Sequence, residues 1–370
     1  MAKKKTYGLG EKSAAKKIAA PKLPYEPRDP KRYRPAIALI GCGGISAIHL
    51  RAYKAAGYNI AAICDVDAAK AEARRTEFYP DAKVYSDYRE VLRREDIEVV
   101  DIATHPEPRV AIIRAALDAR KHVLSQKPFV IDLELGERLI EQAHKRGCKL
   151  AVNHNGRWAP HFSYLRHAVA KGVLGDLMSA RFSVQWNHDW IADTAFNNVR
   201  HIILYDFGIH WFDITSCLFG SNRARSVFAS FARAKGQRSK PGLLAQAQIE
   251  FDNAQASFAF DGFTKFGAQD RTFVVGTKAS ILCAGRDLDA QRVEVHTEKG
   301  CAVPDLKGTW FTTGFHGTMA ELLCSIEEKR EPSNSAASSL PGLALCFAAV
   351  ASAETGKPVV PGKIRKLPKS

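Results

Sequence analysis

What the chain lacks narrows it first. None of its eight cysteines (Cys42, Cys64, Cys148, Cys217, Cys283, Cys301, Cys324, Cys346) stands in a C-x-x-C pair. A cysteine-based zinc site and a disulfide scaffold are therefore not expected, and a reduced, cytoplasmic protein is. No uninterrupted apolar run approaches the roughly 18 residues of a membrane span. No apolar segment follows the opening Met1-Ala2-Lys3-Lys4-Lys5 and no twin arginine appears, so neither a secretion signal nor a membrane partner is expected. No internal repeat is evident. Acidic residues are in short supply, 39 Asp and Glu against 54 Lys and Arg, for a net charge of +15. Most of that excess sits at the two ends, in residues 1–35 and 361–370, which leaves the body close to balance. A nucleic-acid partner is not expected, because such binding wants a basic face on a folded domain. The basic, Pro-rich arm 1–34 reads as an extended or partly disordered solubilising segment, or one that wraps a neighbouring subunit, and 362–370 as a short basic tail.

What is present begins with 370 residues, 46% of them hydrophobic, enough for two cores. The most informative segment is the turn Gly41-Cys42-Gly43-Gly44-Ile45-Ser46. It follows the apolar run 36–40 and opens a helical pattern over 47–56. A second apolar run, 60–64, then ends in Asp65. Strand, tight turn, helix, strand and acid in that order form a dinucleotide-binding fingerprint. Gly41 permits the sharp reversal, and Gly43 lets a pyrophosphate approach the backbone. Gly44, Ile45 and Ser46 then open a helix whose free N–H groups and positive dipole end face the phosphates. Ser46 occupies the third glycine position, a small departure. Asp65 falls about 20 residues on, where a carboxylate holds the adenosine ribose hydroxyls and repels a 2′-phosphate. NAD is expected as cofactor in preference to NADP.

Beyond that unit, strands (84–85, 98–103, 122–125, 149–152) alternate with helical patterns (68–78, 88–93, 109–119, 133–145), which predicts a doubly wound parallel sheet over 35–155. Asp132 is placed to cap the last helix and Gly147 to stop it. After Asn153 the pattern changes. A helix at 161–170 precedes strands at 178–186, 225–232, 245–251, 254–260, 271–276, 280–283 and 292–296, joined by short turns, as in an open, mostly antiparallel sheet. Helices at 317–328 and 340–355 close a second, α+β domain over 156–361, and the final helix is expected to pack back on the first domain. The site belongs in the crevice between the domains.

Two clusters carry chemistry. Lys127 lies in Ser125-Gln126-Lys127-Pro128, at the carboxyl end of an expected strand, where open α/β sheets gather ligands. Asp206 and His210 lie four apart, on one helix face, with Asp213 three further on. A carboxylate beside an imidazole raises its basicity, and neutral imidazole can take a hydroxyl proton. The same pair also admits a metal-binding reading, but no third ligand stands at suitable spacing and no metal is expected.

The turn at Gly41 and Gly43, Asp65, the Lys127-Pro128 pair, the Asp206-x-x-x-His210 helix, Gly172-Val173-Leu174-Gly175-Asp176 and Ala353-Glu354-Thr355-Gly356-Lys357-Pro358 together resemble the glucose–fructose oxidoreductase/inositol dehydrogenase family (Gfo/Idh/MocA) over nearly all of 36–361. The resemblance implies a Rossmann domain, then an open-sheet domain that also forms a homo-oligomer interface, in a dimer or tetramer. It also implies NAD(P)-linked oxidation at a sugar or cyclitol carbinol, with Lys127, Asp206 and His210 catalytic. Thr104, His105, Gln126 and Lys127 join the glycine turn as cofactor contacts. Two positions depart from the family: Gln126 replaces the usual Glu before Lys-Pro, and Arg109, expected to face solvent, stands where a histidine is common.

The substrate side is expected to be lined by Asn153, Asn155, Arg157 and Trp158, by Trp186 and His188, and by His210. Amides, indoles and aromatic faces suit a sugar. His316 is a weaker candidate. The expected activity is NAD-dependent hydride transfer at a sugar, glycoside or cyclitol hydroxyl. Rival readings are a lyase or glycosidase that retains NAD for transient oxidation, and a non-catalytic nucleotide-binding regulator with a basic arm.

Overall fold

In a computed structural model describing residues 16–289 and 291–367, short apolar strands of the first half each hand over to a helix. In order these are β1 (Ala36–Ile40), α1 (Ser46–Ala55), β2 (Asn59–Cys64), α2 (Ala68–Phe78), β3 (Lys83–Tyr85), α3 (Tyr88–Leu92), β4 (Ile97–Ile102), α4 (Pro106–Asp118), β5 (His122–Gln126), α5 (Leu133–Arg146) and β6 (Leu150–Asn153). The strands pair in parallel in the order β3-β2-β1-β4-β5-β6. Helices cover both faces, so strand residues such as Leu39, Ile63, Val100 and Leu124 are fully buried. Strand order reverses between β1 and β4, which opens a crevice at the carboxyl ends. The helix signals act as read: Asp132 accepts from the N–H groups of Glu134 and Leu135, and Gly147 ends α5 in the left-handed region.

The second half contains α6 (Pro160–Ala170), β7 (Leu177–Gln185), α7 (Ile209–Phe219), β8 (Ser226–Ala232), β9 (Leu244–Glu250), β10 (Gln255–Asp261), β11 (Gln269–Gly276), β12 (Ala279–Gly285), β13 (Gln291–Thr297), β14 (Gly300–Ala302), α8 (Trp310–Glu327) and α9 (Ala336–Thr355). Its eight-stranded sheet runs β14-β13-β12-β11-β7-β10-β9-β8. Every neighbouring pair is antiparallel except β7 and β10, which a long excursion through α7 connects. Alternation is regular. Phe182, Ala247, Phe258 and Thr272 face inward, while Arg181, Gln248, Ser257 and Arg271 stay exposed on the other face.

The absence of a span-length apolar segment needs amending. Helix α9 has the length and hydropathy of a membrane span, with a mean of 1.6 over its most apolar stretch, but 67% of that stretch is buried inside the molecule. Gly342 meets α7 at Asp213, Leu340 reaches Gly136 on α5, and Ser352 Oγ accepts from the N–H of Ala229 on β8. The helix is an apolar rod between the two sheets.

The described part of the N-terminal arm also departs from expectation, for it straps its own chain. It pairs with Cys301 of β14 through the Ile18 N–H (3.0 Å) and the Lys16 carbonyl (2.8 Å). It then crosses α6, where Ser163 and Tyr164 donate to the carbonyls of Tyr25 and Pro21. It ends against α8, where the N–H groups of Lys31, Arg32 and Tyr33 donate to Glu327 at 2.8, 2.6 and 2.9 Å. The rest of the arm and the last three residues of the basic tail lie outside the described residues.

Candidate functional site

The glycine turn sits where β1 delivers it, at the mouth of the crevice. Gly41 has φ +102°, and a Cβ there would lie 2.9 Å from the backbone of Ala103 and Thr104. At Gly43 and Gly44 a Cβ would point into open space, a bare cradle for a pyrophosphate. Helix α1 follows Ile45 with no side-chain cap and no acid in its first turn, so its leading N–H groups remain for an anion. Ser46 Oγ donates to the Gly43 carbonyl at 2.6 Å, closing the turn. Asp65 is held at the lip, accepting from the N–H groups of Cys42 (2.6 Å) and Asp67 (2.9 Å). A cavity of about 290 Å³ opens beside it, lined by Gly41, Asp65, Ser86, Tyr88 and Thr104 among others. Backbone cradle, carboxylate and cavity fit an adenine dinucleotide. The linear pattern gave no hint of Arg74, which comes from α2 to donate to Ser46 Oγ at 2.9 Å.

Lys127 directly follows β5 and precedes a cis bond to Pro128. Its Nζ donates to the Asp206 carbonyl (2.8 Å) and carboxylate (3.1 Å), and both side chains are largely shielded. This ion pair joins the two domains across the crevice. Arg109 is no solvent-facing arginine, for only 1% of it is exposed. Its guanidinium donates to the carbonyls of Thr104, Gln126 and Pro128, clamping the two loops that flank Lys127. With no carboxylate bonded to it, burial pushes its pKa down to about 10.

Gln126 is fixed at both ends. Its Oε1 accepts from the N–H of Lys127 (2.7 Å), and its Nε2 donates to His49 Nε2 (3.2 Å). His49 in turn donates from Nδ1 to Asp101 at 2.6 Å, where Tyr53 also donates at 2.8 Å. His49 and Asp101 were not legible as partners, since they come from α1 and β4 and meet only in the fold.

Asp206 and His210 do not pair. Residues Ile203–Phe207 form a π-helical turn, and α7 starts only at Ile209. The regular i, i+4 geometry is therefore broken between them, and Asp206 turns to Lys127. His210 Nδ1 is shut away from solvent with no partner among the described residues. Burial first, then the charge of Lys127, holds the His210 pKa well below its usual value, so the ring is neutral, packed edge to face against Trp310. Asp213 is committed to other partners, with buried His154 at 3.6 Å. It accepts from Arg157 Nη2 (2.5 Å) and Nε (2.7 Å).

That pairing corrects the expected substrate wall. Arg157 is buried and fully engaged with Asp213, Ser333 and Ser338. Trp158 packs under Gly317 and Arg166. Asn153 accepts from Thr318 at 3.1 Å and reaches toward His49, and buried Asn155 lies against Gly314. Asn153 ends β6 and the other three lie in the 3-10 turn Asn155–Trp158 that follows, where all four are buried and Gly156 lies against His210. Trp186 and His188 instead join an aromatic cluster with Phe207, Trp211 and Phe260. Neither Trp186 Nε1 nor either His188 nitrogen has a partner among the described residues, and burial pushes His188 down to about 4. His105 precedes α4 with its ring edge toward Phe196. Thr104 Oγ1 is buried without a partner among the described residues. His316 anchors the N-terminal strap through Asp29 at 2.9 Å. Glu294, His296 and Cys301 lie close together on the β13–β14 hairpin, where Glu294 is already taken by Arg292 and His296.

Known proteins resemble this chain in sequence and fold. The model "Oxidoreductase family, NAD-binding Rossmann fold" matches residues 36–154, and the "GFO/IDH/MocA C-terminal domain" model matches 162–282. D-apiose dehydrogenase of Paraburkholderia graminis is 26% identical over 339 residues, spanning 87% of this chain and 88% of that protein. Inositol 2-dehydrogenase of Salmonella typhimurium is 30% identical over 140 residues, 37% of this chain and 42% of its own. Among solved structures, an oxidoreductase from Agrobacterium radiobacter in complex with NAD+, L-tartaric acid and magnesium superposes with a TM-score of 0.80 at 24% identity, covering 89% of this chain and 99% of that one. Levoglucosan dehydrogenase with NADH and levoglucosan gives 0.74 at 21%, covering 89% and 100%; both likenesses concern the fold. The glycine cradle, the Lys127–Asp206 bridge and the two matched models lead to one conclusion: the chain belongs to the Gfo/Idh/MocA family and is an NAD-binding oxidoreductase.

Proposed function

We propose that the protein oxidises a ring hydroxyl of a sugar, glycoside or cyclitol, or reduces the corresponding ketone, at the crevice between its domains. The observation that carries this reading is the shielded Lys127–Asp206 bridge with the neutral ring of His210 near Lys127. When bound, NAD supplies the acceptor for the hydride leaving the carbinol carbon. Lys127, held by Asp206, places a cation where negative charge gathers on the substrate oxygen. The neutral His210 ring, close enough to Lys127 to feel its charge, accepts the hydroxyl proton. Gln126 and Arg109 fix the backbone from which Lys127 projects.

The relatives' names support a carbohydrate or cyclitol substrate, and the Asp65 carboxylate supports NAD over NADP. Homo-oligomerisation through the exposed face of the eight-stranded sheet is supported by half-exposed Phe228 and Met178 there. A cytoplasmic setting is supported by eight unpaired thiols.

The test is reduced-nicotinamide fluorescence with excess NAD across sugars, glycosides and inositols, counted per enzyme. Signal well beyond one equivalent is expected with at least one substrate. Lys127→Ala is expected to lose at least a hundredfold in kcat while NAD affinity stays within about threefold. Turnover that survives this substitution would sink the assignment.

A further inference from the structure

A second and larger cavity, about 710 Å³, opens on the other side of the Thr104–Pro108 turn from the adenine-side cavity. Both domains build it. The first supplies the start of α4 and Ile131. The second supplies the 195–202 segment, Tyr205 and Asp206. The C-terminal tail adds Leu367, whose N–H donates to the Ile131 carbonyl at 2.9 Å. Asp206 is its inner wall, with Lys127 Nζ 3.1 Å from that carboxylate. Lys127, Gln126 and His210 do not line it. The chamber therefore begins where the reacting centre ends.

Its exposed lining is mainly apolar and suits an apolar group better than a second hydroxylated ring. The wall is dominated by Ile131, Phe196, Val199, Ile202 and Leu367, with prolines 106 and 108 at the turn. Glu107, Asn198, Arg200, His201 and Tyr205 supply the polar remainder of the lining, too few to pair every hydroxyl of a ring laid along the apolar side. The volume falls within the range of about 300–1,000 Å³ typical of sites for drug-sized ligands. His105 and Phe196 meet edge to face there, 6.1 Å apart, the kind of rigid aromatic surface on which a flat ring packs.

We infer that this chamber receives an aromatic aglycone, so that the substrate is an aryl glycoside rather than a free sugar. The inference rests on the sugar-hydroxyl reading above and deepens it. The sugar lies at Lys127 and His210, and its anomeric substituent passes Asp206 into the apolar chamber, where burial adds binding energy remote from the reacting carbon.

The experiment uses the full chain with excess NAD and a panel of hexopyranosides, each as the free sugar, the methyl glycoside and the phenyl glycoside. Phenyl glycosides are expected to exceed their methyl partners in kcat/KM by about tenfold or more, mainly through KM, the scale for burying a phenyl ring. Phe196→Ala and Val199→Asn, each checked for an unchanged thermal transition, are expected to bring that ratio to within about threefold of one. Calorimetric affinity for the phenyl glycoside should fall in parallel. Equal turnover of methyl and phenyl glycosides would overturn the inference, as it would if nicotinamide ribose filled the chamber. A ratio that survives both substitutions would overturn it too. In those two cases sugars are still oxidised and the dehydrogenase reading stands. No turnover of any sugar or glycoside would defeat that reading and this inference with it.

Discussion

At the scale of single residues, burial decides protonation more than neighbouring charge does. Asp270 on β11 is 2% exposed, and its Oδ2 has no partner among the described residues. Burial first, then Asp287, raises its pKa from 3.8 to about 8. The folded chain keeps this proton up to about pH 8, whereas the unfolded chain releases it above about pH 4. Its contribution to stability is therefore complete below pH 4 and is lost as the pH rises toward 8. Asp270→Asn keeps the shape without the ionisation. The variant should match the wild type at pH 4 and exceed it at pH 8 by on the order of a few kcal/mol. Parallel denaturation curves across that range would show that the carboxyl is ionised in the fold. This was not legible beforehand, because a strand's alternation does not say that an acid at its start is turned inward without a partner.

At the scale of elements, two glycines of the same turn, Gly41 and Gly43, do different jobs. Gly41 is required by the fold: φ +102° and backbone atoms 2.9 Å from a would-be Cβ leave no room for a side chain. Gly43 is required by the ligand, since nothing of the protein lies within 4 Å of its would-be Cβ. Gly41→Ala should cost about 1–3 kcal/mol in chemical denaturation. Gly43→Ala should leave the unfolding midpoint in place but weaken NAD binding at least tenfold in a fluorescence titration. Equal effects on both readouts would remove the distinction. The turn was legible because its spacing is local. The helix bearing Asp206 and His210 was legible as a helix but not in its register, since a π-helical turn answers to packing around Phe207 and Gly208 rather than to side-chain periodicity.

At the scale of the whole molecule, the ends do the tying. The N-terminal strap links β14, α6 and α8, and the C-terminal segment returns to the first domain, where Leu133 donates to the Arg365 carbonyl at 2.8 Å. Glu327 alone receives three successive backbone N–H groups of the strap, which keeps its carboxyl below the usual range. Glu327→Ala should free those donors, lower the unfolding midpoint and expose the Lys31–Arg32 bond to trypsin. Unchanged proteolysis would show that the strap is held elsewhere.

The sequence by itself determined the Rossmann unit, the change to an antiparallel sheet, the cofactor turn with Asp65, and Lys127 as the group at the end of β5. Each of these is written in local spacing: period, turn chemistry and the distance from one strand to the next. The tertiary structure alone decided that Asp206 serves Lys127 and not His210, and that Arg157 belongs to Asp213. It also decided that His49 and Asp101 stand behind Gln126, and that a basic arm is a strap. Those partners are separated by tens to hundreds of residues. A side chain's role among such partners depends on which distant surface the fold brings to it, and no local pattern records that.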